Sequence, residues 1–334
     1  MINRALIVGV GSIGRRHLRI LREFCPDLDI RVLRHSGCAE EIDYSNGCFD
    51  SIEDACRFKP DFAIIASPPS EHLFAAKALT HVNTHLLVEK PISHDAEGVD
   101  ELILLSQDRQ LRLQVGYNLR FLKTLQCFRE NLIDELIGSV YSIQCEVGQY
   151  LPDWRPDVDY RQSVSAQKNL GGGVLLELSH ELDLLSWIFG NIFSVSAWIG
   201  SRGSLDIDVE DSAMLQLKFE SHVPAQVTMD FLRRDATRTC TVVGENGTLR
   251  WDALRGVVEH FDPRAKSWNE IIRDRPSRDE SYLTQLRSFL HSIETGTASD
   301  IAATGEESLD VVQVIDAARR SSAADGLHMI VRPL

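Results

Sequence analysis

The chain has 334 residues, 43% of them apolar and 25% charged, with a formal net charge of −14. That length suits two domains better than one core, and the composition is that of a globular protein. The acidic balance argues against a surface that grips phosphate backbones, so nucleic acid is not an expected partner. No stretch reaches the roughly 20 apolar residues that cross a bilayer, and Gly9 and Gly11 interrupt the N-terminal apolar run too early for a signal peptide. The seven cysteines are scattered and form no Cys-x-x-Cys pair, which argues against disulfides and a structural zinc and fits a cytoplasmic protein.

In chain order, Ala5 to Val10 is an apolar run of strand length. Ile13 to Phe24 carries apolar residues at near-helical spacing, and Ile30 to Leu33 is a second strand. Strand, helix and strand within this span make a βαβ unit. The alternation continues with a helix over Ile52 to Phe58, a strand over Phe62 to Ala66 and a helix over Glu71 to Leu79. A strand over His85 to Val88, a helix over Ala96 to Ser106 and a strand over Leu111 to Val115 follow. Parallel strands with helical crossovers predict a doubly wound α/β Rossmann domain over residues 1–120. After a helix over Leu122 to Leu136, strands follow one another at Val140 to Val147, Phe193 to Ile199, Ala213 to Phe219, Ala225 to Phe231, Thr237 to Val243, Thr248 to Trp251 and Gly256 to Phe261. That run predicts an α+β domain over residues 121–334 with an open, mostly antiparallel sheet. One helix is expected over Gly173 to Phe189, and two more over Tyr282 to Ile293 and Glu306 to Ala323.

Gly9-Val10-Gly11-Ser12-Ile13-Gly14 stands where the first strand meets the first helix. The first glycine permits the turn, the second lets a pyrophosphate approach the backbone, and the third lets helix pack on strand. The helix amino end supplies amide donors and a positive dipole. An acidic residue near the end of the second strand would hold the ribose hydroxyls of NAD. The chain instead reads Leu33-Arg34-His35-Ser36. Arg34 can pair with a 2′-phosphate and Ser36 can donate to it, so the expected cofactor is NADP or NAD, with a lean to NADP.

Ligands of open parallel sheets bind beyond the strands' carboxyl ends. Ser67-Pro68-Pro69-Ser70-Glu71-His72 follows one strand and Glu89-Lys90-Pro91 another. An ammonium at Lys90 can donate to a substrate hydroxyl or carbonyl and steady developing negative charge. Further on, Gly171-Gly172-Gly173 leads to Glu177, His180 and Asp183. On one continuous helix, that three-residue spacing puts all three on roughly one face, with His180 as acid/base and a carboxylate orienting it. Tyr150, Trp154, Arg155 and Tyr160 suit stacking on a sugar and bonding its polar groups. No histidine spacing suits a metal.

Taken in order, Gly-x-Gly-x-x-Gly, Ser-Pro-Pro-x-x-His, Glu-Lys-Pro, Gly116-Tyr117-Asn118-Leu119-Arg120-Phe121 and the glycine triplet before His180-x-x-Asp183 closely resemble the glucose–fructose oxidoreductase, inositol dehydrogenase and MocA (Gfo/Idh/MocA) family. The resemblance implies hydride transfer between NAD(P) and a ring carbon of a sugar or cyclitol, Lys90 as the catalytic lysine, and a homodimer or homotetramer formed through the C-terminal sheet. It implies Gly9, Gly11, Ser12, Ile13, Gly14, Arg34, His35, Ser36, Ser67, Pro68, His72, Glu89, Lys90 and Asn118 against the cofactor. Tyr150, Trp154, Arg155 and Tyr160 then face substrate, Arg120 serves either the cofactor or an anionic substrate group, and a nucleotide-linked or amino sugar of surface polysaccharide is one expectation. The family usually has Asp four residues before this histidine; here Glu177 stands three before it. Some relatives cleave glycosides through transient oxidation and others are cofactor-binding regulators, so both remain as alternatives.

Overall fold

The computed structural model describes residues 2–34 and 41–331. In chain order the elements are β1 (Arg4–Val8), α1 (Ser12–Phe24), β2 (Asp29–Leu33), β3 (Gly47–Phe49), α2 (Ile52–Phe58), β4 (Phe62–Ile65), α3 (His72–His81), β5 (His85–Val88), α4 (Val99–Asp108) and β6 (Leu113–Val115). Next come α5 (Lys123–Ile133), β7 (Val140–Gly148), α6 (Val174–Glu177), α7 (His180–Phe189), β8 (Ile192–Gly200), β9 (Ser212–Phe219), β10 (Pro224–Asp230), β11 (Thr237–Gly244), β12 (Gly247–Asp252), β13 (Val257–Asp262) and β14 (Ser267–Arg273). The chain closes with α8 (Glu280–Thr295), β15 (Ala303–Thr304), α9 (Gly305–Ala323) and β16 (Met329–Ile330).

Two compact units result: Met1–Phe121 with Ser277–Leu309, and Leu122–Pro276 with Asp310–Leu334. A single boundary at 120/121 does not describe the return of the chain to the first unit through α8. The reason is visible in that helix. Leu286, Phe289 and Leu290 bury into one cluster with Leu18 and Leu21 of α1 and with Ile7, Val32, Phe62 and Ile64 of the sheet, and Phe289 meets Phe62 edge-on at 5.9 Å.

The first unit holds a seven-stranded sheet in the order β15-β6-β5-β4-β1-β2-β3. Every pairing is parallel except β15 with β6. β1, β4 and β5 read as unbroken apolar runs because helices cover both faces of the sheet. α2 starts where its sequence caps it: the Ser51 hydroxyl accepts the Asp54 amide, Glu53 and Asp54 sit in the first turn, and Arg57 lies in the last.

The second unit holds nine strands in the order β14-β13-β12-β11-β7-β10-β9-β8-β16. All pairings are antiparallel except β7 with β10. The inward face packs on α5, α6 and α7. Trp251 is fully buried there, and its indole N–H donates to Thr124 Oγ1 on α5 at 3.1 Å. The outward face alternates as a one-sided sheet does: in β9, Met214, Gln216 and Lys218 are exposed between buried Ala213, Leu215, Leu217 and Phe219. β14, β15 and β16 escaped the sequence reading because they are short or lack an apolar alternation.

Against the expectation from cysteine spacing, Cys48 is disulfide-bonded. Cys25, Cys56, Cys127, Cys145 and Cys240 are free thiols. Among the described residues no helix is long and apolar enough to cross a membrane.

Replacing Trp251 by Ala removes the largest side chain of the inner sheet face and a buried hydrogen bond. The expected loss is about 3–5 kcal/mol of unfolding free energy, read by urea denaturation; a loss under about 1 kcal/mol would contradict the packing described.

Candidate active site

In the first unit, the loops after β1, β4, β5 and β6 leave one edge of the sheet, because those four strands are parallel neighbours. Gly9 adopts φ +86°, and a Cβ there would lie 2.8 Å from Ala66 O and from Ser67 backbone atoms. A Cβ on Gly14 would overlap the Gly9 carbonyl oxygen. These two glycines are demanded by the fold itself. Gly11 is different: it is exposed, and a Cβ there would meet nothing within 4 Å. No side chain caps α1 and no acid occupies its first turn, so its leading amides and the positive end of its dipole face outward. The open space over Gly11 and the uncapped helix end suit a dinucleotide pyrophosphate, which would lie over Gly11, Ser12 and Ile13.

Arg34 follows β2 directly, and its amide donates to Phe49 O at 2.9 Å. No carboxylate stands at that strand end. His35 and Ser36 lie outside the described residues. After β4, Ser67 and Pro68 are half-buried. His72 is 1% exposed, with Nδ1 2.9 Å from Pro91 O and Nε2 2.8 Å from Ser67 O. Carbonyls only accept, so a neutral ring bonds one of them and a protonated ring bonds both. Both ring nitrogens are thus directed at main chain within the protein.

Glu89 is 7% exposed and Lys90, the next residue, is half-buried. The Glu89 carboxylate receives His17 Nε2 at 2.6 Å and the Lys90 amide at 3.3 Å. Asn118 is also buried and donates to Ser281 Oγ at 2.8 Å. Arg120 is 1% exposed and its guanidinium pairs with Glu307 at 3.1 Å, which leaves this arginine occupied inside the first unit.

In the second unit, the helix expected over 173–189 is broken. Leu178 leaves helical geometry at φ −100°, ψ 26°, so α6 ends at Glu177 and α7 begins at His180. Glu177 therefore shares no continuous helical face with His180 and Asp183; its Oε2 accepts from Ser165 Oγ at 3.0 Å. His180 and Asp183 do lie three apart on α7, at 8% and 2% exposure. Between them, fully buried Glu181 pairs with Arg238 Nε at 2.8 Å and ties the start of α7 to β11. Trp154, Arg155 and Tyr160 line one small cleft with Leu151, Val158, Ser163 and Ser165. Tyr150 carries the Arg234 guanidinium over its ring, 3.3 Å from the centroid. The His17–Glu89 pair and the Arg234 stack were invisible in sequence, since no local spacing joins residues that far apart. Among the described residues no group of three His, Cys, Asp or Glu is placed to hold a metal.

Residues 3–117 match the family model described as an oxidoreductase family with a NAD-binding Rossmann fold, and residues 129–329 match the C-terminal alpha/beta domain of the same family. The chain belongs to the Gfo/Idh/MocA oxidoreductase family. Inositol 2-dehydrogenase of Rhizobium meliloti is 25% identical over 95% of this chain and 96% of that protein. An uncharacterised oxidoreductase of Synechocystis is 29% identical over 59% of this chain and 56% of that protein. Among solved structures, levoglucosan dehydrogenase in complex with NADH aligns with a TM-score of 0.86 at 16% identity, covering 99% of this chain and 100% of the other. The WlbA dehydrogenase of Bordetella pertussis, in complex with NADH and UDP-GlcNAcA, aligns at 0.81 and 19% identity over the full length of both chains. The family member described here is thus an oxidoreductase with a NAD-binding Rossmann domain, and the structural likenesses carry its fold.

Two variants separate the fold's glycines from the ligand's. Gly11→Ala should keep the wild-type melting temperature and weaken NAD(P)H binding at least about tenfold in a fluorescence titration. Gly14→Ala should cost about 1–3 kcal/mol of stability through overpacking. Equal effects of the two on melting temperature would contradict this division. Burial, foremost, holds His72 below the ordinary histidine pKa; burial and the Arg112 charge do the same to His85, whose Nδ1 accepts the Arg112 amide at 2.9 Å. The unfolded chain then binds more protons in acid, so stability from these rings is complete above about pH 6.5 and is lost as pH falls through the lowered values. Replacing both by Gln should flatten the fall in unfolding free energy between about pH 7 and about pH 5; an unchanged slope would contradict it.

Proposed function

We propose that the chain transfers a hydride between NAD(P) and a ring carbinol carbon of a sugar or cyclitol. The observation that carries this reading is the position of Lys90, at the carboxyl end of β5 in the same parallel sheet whose β1 opens into the glycine loop. Oxidising a carbinol removes a hydride from carbon and a proton from oxygen; nicotinamide, when bound, takes or returns the hydride. The chain's own residues must handle the oxygen. The Lys90 ammonium donates to it and steadies its charge as the C–O bond gains carbonyl character. His180 takes the proton, with Asp183 as its orienting carboxylate. The break at Leu178 makes Asp183 a better partner on α7 than Glu177. Trp154, Arg155 and Tyr160, gathered on one cleft, supply stacking and charged hydrogen bonds suited to a sugar with an anionic or nucleotide substituent.

Arg34 supports NADP over NAD, since a guanidinium favours a 2′-phosphate and no carboxylate stands at that strand end to hold ribose hydroxyls. The outward face of the second sheet, with Trp198, Met214 and Val243 exposed, supports a homo-oligomer formed through that sheet.

Lys90→Ala should retain NAD(P)H binding and lose roughly 100-fold or more in turnover. Near-wild-type turnover would overturn the role of Lys90. Arg34→Asp should move the NADP/NAD affinity ratio toward NAD; an unchanged ratio would refute the role of Arg34.

A further inference from the structure

Two buried histidines converge on the main chain that flanks Lys90. On the amino side, His17 of α1 is 1% exposed and places Nε2 2.6 Å from Glu89 Oε1. Its Nδ1 has no hydrogen-bond partner among the described residues, so the ring proton belongs on Nε2, where the carboxylate accepts it. The ring is backed edge-on by Tyr282 at 5.6 Å. The second oxygen of Glu89 accepts the Lys90 amide at 3.3 Å. The carboxylate has little freedom to turn elsewhere: a Cβ on Gly116 would already lie 3.0 Å from it. On the carboxyl side, His72 of α3 sits between two carbonyls, with Nδ1 2.9 Å from Pro91 O and Nε2 2.8 Å from Ser67 O of the neighbouring strand end, and its single ring N–H donates to one of them.

We propose that His17, acting through Glu89, and His72, acting on the Pro91 carbonyl, are positioning residues that fix the main chain on both sides of Lys90. This rests on the reading of Lys90 as the group that meets substrate. Without His17, the buried Glu89 carboxylate keeps only the longer bond from the Lys90 amide, and its other oxygen must find water or a new partner. Either movement releases the Lys90 amide. Without His72, the ring packed between the loops after β4 and β5 is gone, and whichever carbonyl held its single N–H loses that bond. In both cases the lysine keeps its chemistry and loses its aim, and small misplacements of a reacting group are expensive in rate.

The test is epistasis with Lys90. His17→Ala, His17→Gln and His72→Ala are each made in the wild type and in Lys90→Ala, and kcat is measured beside the NAD(P)H dissociation constant and melting temperature. In the wild-type background, His17→Ala and His72→Ala should each lower kcat about tenfold or more, while the cofactor constant moves less than about threefold. His17→Gln, which keeps an N–H near Nε2, should recover most of the loss. In the Lys90→Ala background the same changes should add nothing to kcat. If His17→Ala does not fold, Glu89→Gln in the two backgrounds makes the same comparison. A further drop in kcat in the Lys90→Ala background, or a cofactor dissociation constant that rises more than about threefold as kcat falls, would overturn the positioning role even though Lys90 itself is essential. Near-wild-type kcat in Lys90→Ala alone would instead overturn the reading of Lys90, and the positioning role with it.

Discussion

The close approach of α1 to the end of β1 governs everything this chain does with a cofactor. Gly14 lets the helix settle onto the Gly9 carbonyl, where any side chain would overlap it, and Gly9 turns the chain with a positive φ. The helix is thereby aimed with its uncapped amino end over open space at Gly11. A side chain at either packed glycine would lift the helix and dissolve the anion site, however favourable the dipole. The net charge of −14 is no obstacle, because a bound phosphate responds to amides a few ångströms away more than to screened surface charge.

The same parallel sheet carries that geometry outward. Since β1, β4, β5 and β6 are parallel neighbours, each delivers its following loop to one edge, and residues remote in sequence collect there. Lys90 owes its place to β5, Ser67 to β4 and Gly116 to β6. Buried polar groups then hold these loops to one another. Glu89, His17 and His72 are each buried beyond nine-tenths and bonded to main chain or to one another. Such groups are retained at a cost in desolvation, and they fix one arrangement in return.

Much of this was legible in the sequence, for physical reasons. Strands buried on both faces are unbroken apolar runs, which is why β1, β4 and β5 were found; one-sided strands alternate, which is why β9 and β11 were found. Capping chemistry marks the start of α2. What escaped was tertiary. The apolar spacing of residues 173–189 continues through the break at Leu178, so nothing local separates α6 from α7, and Glu177 was placed on a face it does not share. α8 reads as an ordinary amphipathic helix and gives no sign that it returns to the first unit. The fold also gives Arg120 and Asn118 partners that the sequence does not show, Glu307 and Ser281, residues about 160 or more positions away. His17 looks like core, and only the fold brings it to Glu89.

The proposed chemistry exchanges a hydride between a ring carbon of a sugar or cyclitol and bound nicotinamide. The most direct measurement offers the purified chain NAD and NADP with a panel of ring-deuterated sugars, nucleotide sugars and cyclitols, and follows deuterium by mass spectrometry. Deuterium is expected at the nicotinamide in an amount equal to the ketonic product formed. Glycoside cleavage with no net change in the cofactor, or cofactor binding without deuterium transfer from any member of the panel, would contradict it.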